Sequence, residues 1–404
     1  MDLTGVLLRA GAARPHVLAV TMPGATAVRL AAEDYLRRRG WPEAMTPADA
    51  DILLTCGDPA DPMAAAVSET WQAMPAPRTR ATAARPAEVA EALEEARARL
   101  TDRDAQRALA PVGTRGALLR HGRARQADHG DMAGMDMGGM HMDMAAGPVR
   151  GLPMAHQGDD RDGLRLDRLH VPLGPVLPDW PAGLVVRLTL QGDVVQQAEP
   201  EVLGGGGGSF WDEPWRGAAA GEHVAAGDAA RRRAAAHLDS LGRFLSLAGW
   251  GAAAQAARRL RDELMAGVPA GRLRPDARRF ARRVGGSRTL AWLTAGLGEL
   301  SAGDAAAAGA GPRPAGDVTA RYRRWCADLE AAVSALEDAS PLRPGDLEPP
   351  RGPAADGSAP SAGMLALLPG LLAGTELAAA RLIVASLDPD LDELPARAAA
   401  SHDL

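Results

Sequence analysis

Lysine is absent from this 404-residue chain, and all 45 basic residues are arginine. That excludes a P-loop, whose glycine-rich turn needs a following lysine to reach the phosphates, so the glycine run 204–208 is not one. There are only two cysteines, Cys56 and Cys326, far apart. On ligand count they rule out a disulfide framework, a Cys-rich zinc site and an all-cysteine iron–sulfur cluster built from this chain alone. Aromatics are scarce: Tyr35 and Tyr322 are the only phenols. Long apolar runs are missing too. The longest, 364–387, is interrupted by Pro369, Glu376 and Arg381, and each central charge costs roughly 2.5–3.5 kcal/mol in a bilayer. The apolar start Gly5–Leu8 stops at Arg9, too soon for a signal peptide. These absences predict a soluble, cytoplasmic protein.

The net charge of −6 spreads over both halves, and arginines alternate with acids at helical spacing. A nucleic-acid footprint needs a one-sided basic face, so no nucleic-acid partner is expected. Ala, Gly and Pro are abundant, as in a G+C-rich coding sequence, so an arginine run such as 231–233 says little by itself.

Apolar runs at 16–20 and 51–55 read as buried strands, with a helical pattern through Val28, Ala32 and Leu36 between them, closed by Gly40. A helix at 62–71, a third strand near 78–83 and a helix over 86–109 complete a parallel α/β layer. Periodicity is lost over 111–160. It returns as strands at 164–173 and 183–197, the latter two strands folded around Gln191-Gly192-Asp193. Beyond Gly227 the pattern is helical. Leu238, Leu241, Leu245 and Ala248 share one face, Leu260 and Leu264 follow, then Phe280, Val284, Leu290, Leu293 and Leu297. Val318, Tyr322, Trp325, Leu329, Ala332 and Leu336 mark a bundle seam. A Pro/Gly-rich linker, 341–363, precedes a last helical segment to about Leu387.

The aperiodic region contains HGDMAGMDMGGMHMDM, residues 129–144, with six of the fourteen methionines. Thioether and imidazole suit Cu(I), and M-x-M spacing lets a flexible chain wrap one ion. The candidate ligands are His129, Met132, Met135, Met137, Met140, His141, Met142 and Met144. A tether that need not fold explains the same composition. His170, His237, Cys56 and Cys326 read as structural residues, and the acid pairs Asp159-Asp160 and Asp212-Glu213 as solvated loop charges.

Several segments, collinear in order, resemble two peripheral-arm components of respiratory complex I (NADH-quinone oxidoreductase) and the related small and large subunits of group 4 nickel–iron hydrogenases. ADILLTCGDPADPMAAAVSETWQAMPAPR (50–78) is similar to the cluster-bearing small component, in which a strand is followed by a helix ending in QMPEPR. The match rests on Ala50-Asp51, Gly57, Pro62-Met63 and Gln72 to Pro75. GPVLPDWPAGLVVRLTLQGDVVQQAEPEV (174–202) resembles the opening of the large, quinone-cavity component, GPQHPxxHGVLRL onward. GDVTARYR (316–323) and 359–394 resemble later segments of that large component. The resemblance covers roughly 16–85 and 160–395.

It implies an α+β multidomain fold: an N-terminal small-subunit-like α/β domain with a parallel sheet, then a small β region and a helical bundle of the complex I or nickel–iron hydrogenase large-subunit type. The expected division is a tail at 1–15, the small-subunit-like domain at 16–110, a Met/His-rich linker at 111–160, a β region at 161–203, a Gly-rich loop at 204–228, the bundle at 229–395 and a tail at 396–404.

The family's functional groups do not carry over. Its adjacent cysteine pair after the first strand corresponds to Pro23-Gly24-Ala25-Thr26-Ala27, without a thiol, and Cys56 stands where the family has Ala. The histidines by its quinone cavity correspond to Leu177 and to Asp179-Trp180-Pro181-Ala182. The paired CxxC motifs for nickel–iron are missing, and Tyr322 fits the bundle seam better than a proton donor. The expectation is therefore no iron–sulfur cluster, no nickel–iron centre and no complete catalytic site. The chain reads as a non-redox peripheral-arm subunit scaffolding or coupling a complex-I-like or Mrp-antiporter-like membrane assembly on the cytoplasmic face. Alternatives are an NADH-quinone oxidoreductase or hydrogenase-type subunit active with redox partners, and a copper-binding protein.

Overall fold

The structure is a computed structural model and describes residues 11–59, 63–109, 157–159, 165–343, 345–353 and 358–395. The fold is mixed α+β. A three-stranded parallel sheet runs β1 (Val17–Thr21), β2 (Ile52–Cys56), β3 (Thr79–Ala83), in that spatial order. Every residue of β2 is buried, because the central strand of a parallel sheet is covered on both faces. The connections are helical: α1 (Thr26–Arg39) and α2 (Met63–Ala73), with α3 (Val89–Thr101) and α4 (Arg103–Leu109) after β3. The single helix expected over 86–109 is thus two, broken at Asp102, whose carboxylate accepts the Asp104 and Ala105 N–H groups and restarts the helix.

α1 determines how the chain's two parts meet. Gly40 closes it at φ 65°, returning its N–H to the carbonyls of Leu36 and Arg37. Val28, Ala32 and Leu36 join the core over the parallel sheet. Leu30, on another side of the helix, joins the second core.

That second core is built from an antiparallel sheet, β4 (Gln157–Asp159), β5 (Arg165–Leu173), β6 (Leu184–Gln191), β7 (Val194–Val202), and from helices. The β6–β7 turn falls at Gly192, φ 61°, where the sequence places it. After α5 (Glu213–Ala219) come α6 (Ala226–Leu247), α7 (Gly251–Met265), α8 (Ala270–Gly285), α9 (Arg288–Thr294), α10 (Ala302–Ala307) and α11 (Val318–Ser334). Asp317 caps α11 by accepting from Ala320 N at 2.7 Å. Val318, Tyr322 and Leu329 form its buried seam, and Tyr322 stacks on Phe244 of α6 at 5.4 Å. Among the described residues no helix is long and apolar enough to cross a membrane.

Two further expectations need correction. The last helical segment is two helices, α12 (Pro360–Leu372) and α13 (Leu377–Leu387), because Gly374 turns at φ 77° and donates to Val195 O, tying the turn to β7. Leu293, expected on an apolar helix face with Leu290 and Leu297, is 49% exposed, since α9 buries Leu290 and Thr294 instead. The glycine run packs closely: a Cβ on Gly205, φ 129°, would lie 2.5 Å from Leu391 O.

Candidate functional site

The two cores meet along α1, and the cleft between them holds a cavity of about 100 Å³. β1 and α1 form one wall. The other comes from the 175–182 loop, α6, α7 and the 389–392 segment after α13.

Charge dominates the site. Arg29, Glu33 and Arg37 recur every four residues and so share one face of α1. Arg29 donates to both oxygens of Asp239 on α6, at 3.0 and 2.9 Å, and to Glu33 at 2.7 Å. Arg261 of α7 bridges Glu33 and Asp239, each at 2.7 Å, and donates to Asp262. Arg258, one turn earlier, holds both Glu43 oxygens at 3.1 and 3.0 Å and Asp179 at 2.5 Å. On the far side Arg243 links Asp239 to Asp388. Arg351 continues to Asp388 at 2.6 Å and Asp390 at 3.5 Å, and lies 3.9 Å from Glu393. Arg258 also approaches Glu33 at 4.0 Å, so acids and guanidiniums alternate from Glu43 to Glu393.

Two of these groups, Arg261 and Asp239, are each only 1% exposed. Burial of such charges is tolerable only when every one is paired and hydrogen-bonded. Burial pushes the Asp239 carboxyl up, but Arg29, Arg243 and Arg261 outweigh it and hold the group well below the ordinary range. Against the same burial, Arg261, Arg29 and Arg258 bring Glu33 to about 2. The ends of the chain of charges behave oppositely. Burial raises Glu393 to about 8 against the pull of Arg351, and raises Asp392 to about 6 with help from Asp390. At the other end, burial beside Glu33 and Asp179 lifts Glu43 to about 7 in spite of Arg258.

Of the positions that the resemblance aligns with redox groups, Thr26, Leu177 and Asp179 to Ala182 line this cavity. At the start of α1, Gly24 N donates to Asp392 Oδ1 at 2.7 Å. A Cβ on Gly57 would sit 2.7 Å from that of Ala25, so β2 and the α1 entry are in direct contact. Cys56 is fully buried, and burial pushes its thiol up to about 12, leaving it protonated at neutral pH. A [4Fe–4S] cluster takes four cysteine thiolates, and Cys56 is the single thiol of this part of the chain. The residues present do not fit a [4Fe–4S] cluster. In the loop matching the quinone-side histidines, Asp179 is paired with Arg258, and the Trp180 indole N–H donates to Leu184 O at 2.9 Å. Both polar side chains hold the loop in place.

Of the residues singled out in the sequence, Cys326 and His237 are buried. Burial pushes the imidazole down to about 3, and it lies 3.7 Å from Asp328. His170 sits at the sheet surface beside Thr189. Asp212 is a correction: its Oδ1 is buried, and burial near Asp390 raises its carboxyl to about 6, so it is not a solvated loop charge. The Met/His stretch, His129 to Met144, lies outside the described residues, as does Asp160. Among the described residues no group of three or more His, Cys, Asp or Glu is placed to hold a metal.

The ion network itself was not anticipated. Its signal was present in part: Asp239 adjoins Leu238 and Leu241, and Arg261 adjoins Leu260, so charges interrupt apolar faces. No sequence pattern states which distant partners meet.

No family model and no curated protein matches this chain. Among solved structures it is similar to a chain of the membrane-bound sulfane sulfur reductase, an archaeal respiratory membrane complex. That likeness has 15% identity and a TM-score of 0.37, and it covers 56% of this chain and 98% of the other.

Proposed function

We propose that this protein is a non-redox peripheral-arm subunit that scaffolds or couples a complex-I-like or antiporter-like membrane assembly. The observation that carries the reading is the ion network. The small-subunit-like and large-subunit-like parts are locked together by Arg29, Glu33, Asp239, Arg258 and Arg261, at the place where the resemblance puts electron transfer. A junction made of paired charges transmits position between two bodies and accepts no electrons. Asp179 and Asp392 secure the loops that line the cleft.

Complementation of a deletion strain tests this reading. Loss of the chain should abolish a membrane complex seen on native gels, and Cys56→Ser should restore it fully. A native-gel pattern unchanged by the deletion, or a Cys56→Ser variant that fails to restore the complex while expressed and folded, contradicts the proposal.

A further inference from the structure

Seven of the 45 arginines fall within residues 272–288: Arg272, Arg274, Arg278, Arg279, Arg282, Arg283 and Arg288. The buried stripe of α8 is Leu273, Ala277, Phe280, Ala281 and Val284, at helical spacing. The arginines take the rest of the helix, and α9 follows after the turn 286–287. Two carboxylates answer them: Asp276 pairs with Arg279 at 3.0 Å and Glu337 with Arg274 at 3.1 Å. Arg278 donates to Ser334 Oγ, and Arg283 lies over the Trp250 ring. Arg272, Arg282 and Arg288 are exposed with no carboxylate partner among the described residues. The exposed side of α8 is therefore strongly basic.

On α9, Arg288 and Trp292 are four residues apart and share a face. Trp292 is 80% exposed and the adjacent Leu293 is 49% exposed. Packing among the described residues gives no reason for an indole to stand in water. Tryptophan is the side chain that prefers the headgroup region of a bilayer, and arginine clusters are drawn to anionic lipid.

We infer that the α8–α9 face docks on an anionic phospholipid surface, with Trp292 and Leu293 entering the headgroup layer and Arg272, Arg282 and Arg288 pairing with lipid phosphates. A nucleic acid offers phosphates too, but a single-strand surface calls for several aromatic platforms, and this face has one. The inference deepens the membrane-associated reading by naming a lipid contact, and it stands on this surface alone.

Vesicle sedimentation of the full chain without partners tests it. The protein should partition onto vesicles of phosphatidylcholine and phosphatidylglycerol in equal parts, and not onto phosphatidylcholine alone. Neutralising two interfacial charges in Arg282→Gln/Arg288→Gln should lower partitioning by roughly tenfold or more, and high salt should do the same. Trp292→Ala, at an exposed position, should keep its melting temperature and lose several-fold in partitioning. Equal binding to neutral vesicles, variants that partition like wild type, or preference for an RNA homopolymer over the vesicles overturns the inference. Failure here leaves the native-gel complex of the complementation test intact, so the two outcomes separate.

Discussion

Arg29 and Asp239, 210 residues apart, form a two-bond ion pair at 3.0 and 2.9 Å across the junction of the two cores. Asp239 is deeply buried and also receives Arg261 and Arg243, so its charge depends on partners from three helices. Removing one partner leaves a buried charge uncompensated, at a cost of about 3–5 kcal/mol. Asp239→Asn should therefore lower the urea midpoint strongly, leaving Arg29 and Arg261 short of counter-charge. A combined Arg29→Met/Asp239→Leu exchange should recover a large part of that loss, since an apolar pair avoids desolvation of the ions. Single and double variants with identical midpoints would show that the pair carries no stability.

The pH profile has two opposed contributions. Glu33 is held at about 2 and Asp239 well below its ordinary range, so their stabilisation is present above the unfolded carboxylate values and fades as pH falls through the folded ones. Glu393 is raised to about 8, so the native state binds its proton more tightly than the unfolded chain does. Its contribution is complete below about pH 4 and is lost as pH rises toward 8. While that group is protonated in the native state and ionised in the unfolded chain, the slope is about 1.4 kcal/mol per pH unit. Wild type should be most stable near about pH 5, and Glu393→Gln should flatten the decline between about pH 6 and 8. Urea midpoints across that range check it, and parallel curves for the two proteins would contradict it.

Cys56 and Cys326 are both buried, and burial pushes each thiol up to about 12. A thiol that stays protonated and shielded is a poor nucleophile. A chromogenic disulfide reagent at about pH 8 should titrate neither cysteine in the native chain and both in denaturant. Fast native labelling of Cys56 would show that it is an accessible, reactive group.

Local order was legible and long-range pairing was not. The strands at Val17–Thr21 and Ile52–Cys56 follow from compact apolar runs, and the α11 seam from its spacing through Tyr322 and Leu329. Arg29, Glu33 and Arg37 show only that they share a face; that Asp239 and Arg261 meet them depends on α1 packing against α7, which no local pattern encodes. Leu293 misled because a seven-residue helix has too few turns for periodicity to choose a face, and its neighbour Trp292 is exposed as well. Asp212 looked like one of many acids in a loop. It is buried near Arg351 and Asp390, both distant from it in the chain.

The central claim is attachment to a membrane assembly, and in-cell crosslinking of the tagged full chain, followed by purification and mass spectrometry, tests it most directly. The account predicts crosslinks to integral membrane proteins of complex-I-like or antiporter-like type, recovered with the membrane fraction. Recovery of the chain solely as a soluble monomer, with no membrane protein crosslinked, would contradict it.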